Sequence, residues 1–245
     1  MITPLLSDTF CIACSPRSGG NSDRAAALFA DAYAAAGGVS PLRLLLRDQP
    51  VLPCTACDAC KSAIRNSRAV PAGDSASAQS GLHALYGVPE NTLLTFGCPQ
   101  ARRDCSASLL NRLAFAGSMC LVSPIYFYHL PAQLKALLDR TQPFWHLNNM
   151  RFAGVRARER RCHVILLAAR EKGERLFEGS LLSIKYALAG AGIRLADPLL
   201  LYGLDAPSAL SADNGIQERI REYAENAARI DQQALPDQGS APDLP

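Results

Sequence analysis

Phe10-Cys-Ile-Ala-Cys-Ser15-Pro-Arg-Ser-Gly-Gly-Asn21-Ser-Asp-Arg24 is the stretch from which the fold is read. An apolar run, Thr9 to Cys14, ends in a short loop of Ser, Pro, Arg, Gly and Asn, and a helix-like run from Ala25 to Ala36 follows at once. A strand that turns sharply into a helix leaves the first helical N–H groups unpaired and facing the loop. The helix dipole adds positive potential there, so the turn suits an anion, above all a phosphate. Gly19 and Gly20 allow close backbone approach. Ser15, Ser18 and Ser22 offer hydroxyl donors, Asn21 an amide and Arg17 a charge-assisted fork. The same pattern also describes an ordinary tight βα turn. It is neither G-x-G-x-x-G nor a P-loop ending in Gly-Lys-Ser/Thr, so those two nucleotide sites are disfavoured.

Outward from this turn the chain alternates. Ala25, Leu28, Phe29, Ala32 and Ala36 share one helix face, and Gly37-Gly38 ends the helix. Ser40 to Leu46 reads as a second strand, which makes a βαβ unit with a parallel sheet. Asp104 to Phe115 reads as a helix and Ser118 to Ser123 as a third strand. Another helix starts at Pro131, with Leu134, Leu137, Leu138, Thr141 and Trp145 on one face. Cys162 to Ala169 reads as a fourth strand, Leu181 to Ala189 as a helix and Leu195 to Tyr202 as a fifth strand. Ile216, Ile220, Tyr223, Ala227 and Ile230 mark a last helix. Right-handed crossovers make this a doubly wound, three-layer sandwich, with the loops after strands one, three and four converging on one edge.

Three segments stand out from that rhythm. Cys54, Cys57 and Cys60 are spaced to share one soft metal centre or an iron–sulfur cluster, or to remain reduced, partly buried thiols. Lys61 to Gly97, rich in Ser, Ala and Gly and broken by Pro71 and Pro89, reads as an insertion or a long lid, and His83 within it as solvated. Tyr126-Phe127-Tyr128 offers aromatics that cover the sheet's end or form a flat wall for an aromatic ring. The arginines at 151, 156, 158, 160 and 161 read as a solvated linker.

Composition narrows the partners. The 245 residues are 49% hydrophobic and 19% charged, a globular chain with enough core to fold without staples. A net charge of +3 does not argue for nucleic acid. No apolar run approaches a membrane span, and Met1 to Asp8 lacks the features of a signal peptide, so a cytoplasmic protein with no membrane partner is expected. Nine cysteines in such a chain argue for metal, redox or burial roles.

Ser15-Pro-Arg-Ser-Gly-Gly-Asn-Ser22, the run from Ser123-Pro-Ile-Tyr-Phe-Tyr-His-Leu-Pro131 to Arg140, and the Cys54/Cys57/Cys60 motif carry a resemblance over most of residues 8 to about 205. On them the chain resembles the flavodoxin-like NAD(P)H-dependent FMN reductase family, and within it the iron–sulfur flavoproteins. The resemblance implies a flavodoxin-like αβα sandwich with a five-stranded parallel sheet. It implies FMN, with the phosphate on Ser15, Arg17, Ser18, Gly20, Asn21 and Ser22, and the isoalloxazine lined by Pro124, Ile125, Tyr126, Phe127 and Tyr128. Ala169 and Arg170 would close the far side.

In the iron–sulfur members a fourth cysteine follows soon after the third. Here the insertion intervenes, so Cys98 is the expected fourth ligand of a [4Fe-4S] cluster, with Cys105 in reserve. NAD(P)H is the expected co-substrate, and a quinone, a free flavin or a redox protein the acceptor. No catalytic side chain is implied, since the flavin carries the chemistry. A homodimer or homotetramer is expected. Residues 1–233 are read as one domain and 234–245 as a flexible tail. The rival readings are an electron carrier between partner proteins and a binding module with structural zinc.

Overall fold

The computed structural model describes residues 9–67, 97–149 and 160–233. The predicted insertion beyond Ser67, His83, the arginines at 151, 156 and 158, and the tail lie outside them. Five positions across a parallel sheet are filled, in the order β2-β1-β3-β4-β5, by β1 (Thr9–Ala13), β2 (Leu42–Leu45), β3 (Ser118–Pro124), β4 (Arg160–Leu167) and β5 (Ile193–Leu195). The predicted fifth strand is split. Its second half, β6 (Leu199–Leu201), also pairs with β4, after Asp197-Pro198, where proline lacks an N–H for the ladder.

The helices are α1 (Asn21–Ala35), α2 (Ala59–Ser67), α3 (Ser106–Phe115), α4 (Ala132–Asp139), α5 (Gln142–Asn149), α6 (Glu178–Ala189), α7 (Ala209–Ala212) and α8 (Asn214–Gln233). Among them none is long and apolar enough to cross a membrane.

Strand alternation sorts the core into two layers. Phe10, Ile12, Met119, Leu121, Val164 and Leu166 face α3, α4, α5 and α6 through Leu110, Leu113, Leu134, Leu137, Phe144 and Ile184. Cys11, Ala13, Cys120, Val122, Ile165 and Leu167 face α1 and α8. There the packing is built from Ala25, Ala26, Ala30, Ala224, Ala227 and Ala228, small side chains that let the two helices lie close together on the sheet.

Four sequence expectations are corrected. The helix after Pro131 is two helices, broken at Arg140 and Thr141, where Thr141 Oγ1 donates to the Leu138 carbonyl at 2.7 Å. The break turns Trp145 outward, so it is 49% exposed rather than on the inner face. Lys61 to Ser67 belongs to α2, so the inserted segment starts as helix. Arg160 and Arg161 are not in a solvated linker but open β4, and Arg161 donates to the Ile230 carbonyl of α8. The more buried of the two is Arg160. It is 2% exposed and donates to the carbonyls of Leu113, Ala114 and Ala191, satisfying groups near the ends of α3 and α6.

At the edge of the sheet where the strands begin, one carboxylate joins three elements to α8. Asp231 Oδ2 accepts from Tyr33 of α1 at 2.9 Å and Ser118 of β3 at 2.5 Å, and lies 2.9 Å from His163 Nε2 of β4. Burial alone would raise this carboxyl. His163, Ser118 and Tyr33 outweigh it and hold Asp231 below the usual carboxylate range. A depressed carboxylate contributes its stability above its unfolded pKa, about 3.9, and loses it as pH falls through the lower folded value. Asp231→Ala is therefore expected to cost about 3–5 kcal/mol at neutral pH, read from the urea midpoint at unchanged slope. The gap to wild type should close below about pH 4; a gap independent of pH would refute the ionic account.

Gly97 returns the chain to α2. Its φ is +68°, and a Cβ there would lie 2.3 Å from the Ala63 Cβ. Gly97→Val should lower stability by roughly 1–3 kcal/mol and speed alkylation of Cys98 and Cys60 as α2 and residue 98 part. Unchanged melting and thiol reactivity would show that this contact is dispensable.

Candidate functional site

Parallel strands end at the same edge, and β1, β3 and β4 are consecutive neighbours. Ala13 pairs with Val122, and Pro124 with Leu167, so the three following loops leave side by side. Cys14 N donates to Val122 O and Ile125 N to Leu167 O, both at 2.8 Å, which carries the ladder into the loops.

The loop after β1 turns at Gly19, whose φ is +66°, and Gly20 is the extended N-cap of α1. Gly20 has no side chain to cap the first turn, so the leading N–H groups of α1 face the loop. Ser15 is buried and its Oγ accepts from Arg17 N at 3.1 Å, which shapes the turn. Ser22 is buried in the first turn of α1, while Arg17 and Ser18 are exposed.

Asn21 is placed differently from the sequence expectation. Its Nδ2 donates to the carbonyls of Leu204 and Ala206, at 3.2 and 2.8 Å, and its Oδ1 accepts from Leu210 N at 3.1 Å. The side chain staples loop 204–210 to α1, and the backbone N–H is what Asn21 offers an anion. Sequence reasoning also missed two charged groups. Asp23 Oδ2 accepts from Gly19 N at 2.7 Å, and Arg47, just after β2, pairs with Asp23 Oδ1 at 2.9 Å. An acidic residue in the first helical turn is a readable signal, because it complements the helix dipole. Arg47 is brought there only by β1–β2 pairing and had no local signal.

The loop after β3 is a two-residue hairpin. Tyr126 N donates to His129 O at 2.8 Å, and His129 N to Tyr126 O at 3.0 Å. Phe127 and Tyr128 at its tip both have positive φ, 49° and 64°, the backbone of a type I′ turn normally made with Asn or Gly. Two bulky residues held there store strain of order 1–2 kcal/mol each. Phe127 is wholly exposed, while Tyr126 and Tyr128 are partly so. Ile125 packs into the core and so fixes the root of the loop. Ala169 and Arg170 follow β4 and are exposed. The Arg170 guanidinium lies 5.8 Å from the Tyr128 ring centroid, within cation–π range, so the second and third loops touch.

The cysteine motif forms a separate centre. A cavity of about 400 Å³ is lined by Cys54, Cys57, Cys60 and Cys98, together with Arg140 and His146. Cys105 is not among its lining residues. Ala56 and Asp58, between the cysteines, have positive φ of 52° and 57°, and Ala56 N donates to Cys54 Sγ at 3.4 Å. Left-handed residues bend the segment, and its three cysteines line one hollow. Burial pushes the Cys60 thiol above its usual value, and the neighbouring Cys98 and Cys54 sulfurs push the same way, against backbone donors. Among the described residues no three His, Cys, Asp or Glu are grouped to hold a single metal ion. Four cysteines around one cavity are the soft donor type that metals and iron–sulfur clusters take.

Comparison with known proteins agrees with this architecture. No curated protein matches the chain. An azoreductase from Bacillus anthracis str. Sterne superposes with a TM-score of 0.54 at 12% identity, over 93% of this chain and 99% of its own. An FMN-dependent NADH-azoreductase from Bacillus anthracis str. Ames Ancestor, solved in complex with FMN, gives 0.52 at 14% identity, over 93% and 100%. An NAD(P)H:quinone oxidoreductase from Methanothermobacter marburgensis gives 0.54 at 15%, over 91% and 98%. At such identities the likeness is one of fold, a flavodoxin-like sandwich. The sequence family described as NADPH-dependent FMN reductase matches residues 8–170. With β1 to β4, the glycine turn and the aromatic hairpin in that span, the chain belongs to the NADPH-dependent FMN reductase family and is an oxidoreductase.

Proposed function

We propose that the protein binds FMN across the loops after β1, β3 and β4, reduces it with NAD(P)H and passes the electrons to a small acceptor such as a quinone, or to a redox protein. The observation that carries this is the juxtaposition, on neighbouring parallel strands, of an uncapped helix N-terminus and an aromatic hairpin. An anion seat beside a flat apolar wall matches a cofactor with a phosphate at one end and a fused ring at the other. Bound FMN would supply the hydride and electron chemistry.

The chain's own residues have distinct parts in this reading. Backbone N–H groups of Asn21 and Ser22, the hydroxyls of Ser15, Ser18 and Ser22, and Arg17 hold the phosphate, with close approach allowed at Gly20. Tyr126, Phe127 and Tyr128, rising from Pro124 and Ile125, set the ring's orientation and exclude water from one side. Ala169 and Arg170 bound the other side, with Arg170 steadied on Tyr128.

The thiol-lined cavity supports a finer proposal. Cys54, Cys57, Cys60 and Cys98 would hold a [4Fe-4S] cluster, which would supply single-electron relay between flavin and acceptor. Residues 1–233 act as one domain in this reading, and a homodimer or homotetramer completes it. The exposed Trp145, Leu182 and Tyr186 on α5 and α6 support assembly, and light scattering on the purified protein tests it.

Protein purified without oxygen should show flavin absorption and bleach rapidly on addition of NADPH or NADH. Slow bleaching by both would favour an electron carrier, and no flavin after adding FMN would refute the proposal. Iron and sulfide should reach about four each per chain, with Cys98→Ser losing them and Cys105→Ser keeping them. Zinc in place of iron would favour a structural metal. Arg17→Ala removes a charge-assisted contact of about 1.5–3 kcal/mol, so the FMN dissociation constant should rise about 10- to 100-fold, with a weaker salt dependence. An unchanged constant would remove Arg17 from the phosphate site.

A further inference from the structure

Arg140, at the break between α4 and α5, is 3% exposed, and its guanidinium is fully engaged on one side. Nη1 donates to Leu52 O at 3.0 Å, to Gln100 Oε1 at 3.2 Å and to Asp104 Oδ2 at 2.7 Å. Nη2 donates to Ser106 Oγ at 2.6 Å and to Cys98 Sγ at 3.3 Å. Asp104 closes the arrangement, accepting from Leu52 N at 2.9 Å through one oxygen and from Ser106 N at 2.9 Å through the other. Gln100 reaches Thr55 Oγ1 at 3.4 Å.

These contacts bind two stretches of chain that are far apart in sequence. One, Leu52 to Cys60, carries three thiols. The other, Cys98 to Ser106, carries the fourth and returns from beyond the predicted insertion. Only a planar fork with several fixed donors reaches a backbone carbonyl, a carboxylate and a sulfur at once. The fork bonds Cys98, which lines the thiol cavity, whereas Cys105, outside that lining, donates its N–H to Pro50 O at 2.9 Å.

We propose that Arg140 is the positioning residue of the thiol centre. It selects Cys98 as the fourth sulfur, and its N–H···S bond makes the bound cluster easier to reduce. This rests on the cluster reading given above. The physical reason is charge. A cluster ligated by four thiolates is anionic, and taking up one electron makes it more so. A buried guanidinium bonded to a ligating sulfur stabilises the more negative state. Arg140 gives up neither electron nor proton in this. The bland alternative is that Arg140 only ties α4 to residues 98–106, in which case its loss would loosen the fold and leave the cluster's potential where it was.

Redox titration of anaerobic full-length protein, followed by electron paramagnetic resonance for the cluster and by absorbance for the flavin, separates the two. Arg140→Lys keeps a buried cation for Asp104 but loses the fork. It should shift the cluster's midpoint to more negative potential, leave the flavin's unchanged and retain iron. A variant with full iron and an unmoved midpoint overturns the proposal while the cluster reading stands. Wild-type protein that takes up no iron on reconstitution overturns both. Should the variant not fold, wild-type protein labelled with ¹⁵N-arginine decides: the reduced cluster should show a ¹⁵N hyperfine coupling, and its absence refutes the contact.

Discussion

Strand direction is the constraint on which the rest depends. Because β1, β3 and β4 run parallel and adjacent, every loop that follows them emerges at one edge. No antiparallel arrangement of the same sequence would bring Ser15–Ser22, Tyr126–Tyr128 and Ala169–Arg170 together. A parallel sheet must be covered on both faces, and the alternation of core residues along β1, β3 and β4 supplies two apolar faces for two helical layers. Near the opposite edge, where the strands begin, the Asp231 carboxylate and buried Arg160 each satisfy several partners among the described residues. Internal polar contacts thus tie the elements together at one end of the sheet, and the loops of the proposed site leave from the other.

The thiol centre is tied into this plan through α4. That helix follows the aromatic hairpin directly, and its last residue hands over to Arg140. The same short segment therefore has the aromatic hairpin at its start and, at its end, the guanidinium bonded to Cys98. α2, which carries Cys60, packs against α5 just beyond. One helix of about two turns therefore separates the hairpin from the thiols.

Much of this was legible in the sequence wherever a physical rule is local. The apolar strand, the glycine turn and the amphipathic helix of residues 9–36 read correctly because burial on both faces and 3.6-residue periodicity leave a direct trace. Placement of Cys98 beside Cys60 was also within reach, because loop closure over a long insertion costs little. The misreadings fall where tertiary contacts override local pattern. Asn21 looked like an anion donor, but its amide is consumed by a loop nearly two hundred residues away. Arg160 looked like part of a solvated run, yet the ends of two helices required its fork. Trp145 kept helical spacing with Leu134 and Leu138, and only the break at Arg140 turned it outward. The left-handed backbone at Phe127 and Tyr128 contradicts what those side chains prefer, so no propensity could have announced it.

That hairpin bears on how the sequence can drift. A glycine at position 127 would suit the backbone better than phenylalanine and would relax the turn. It would also delete the ring that stands entirely in solvent. Selection for a more robust fold and selection for the aromatic tip therefore pull this codon in opposite directions. Variants that gain heat tolerance through residues 127 and 128 are the ones in which loss of turnover should be sought, since the strained turn and the proposed flavin-facing surface are the same two residues.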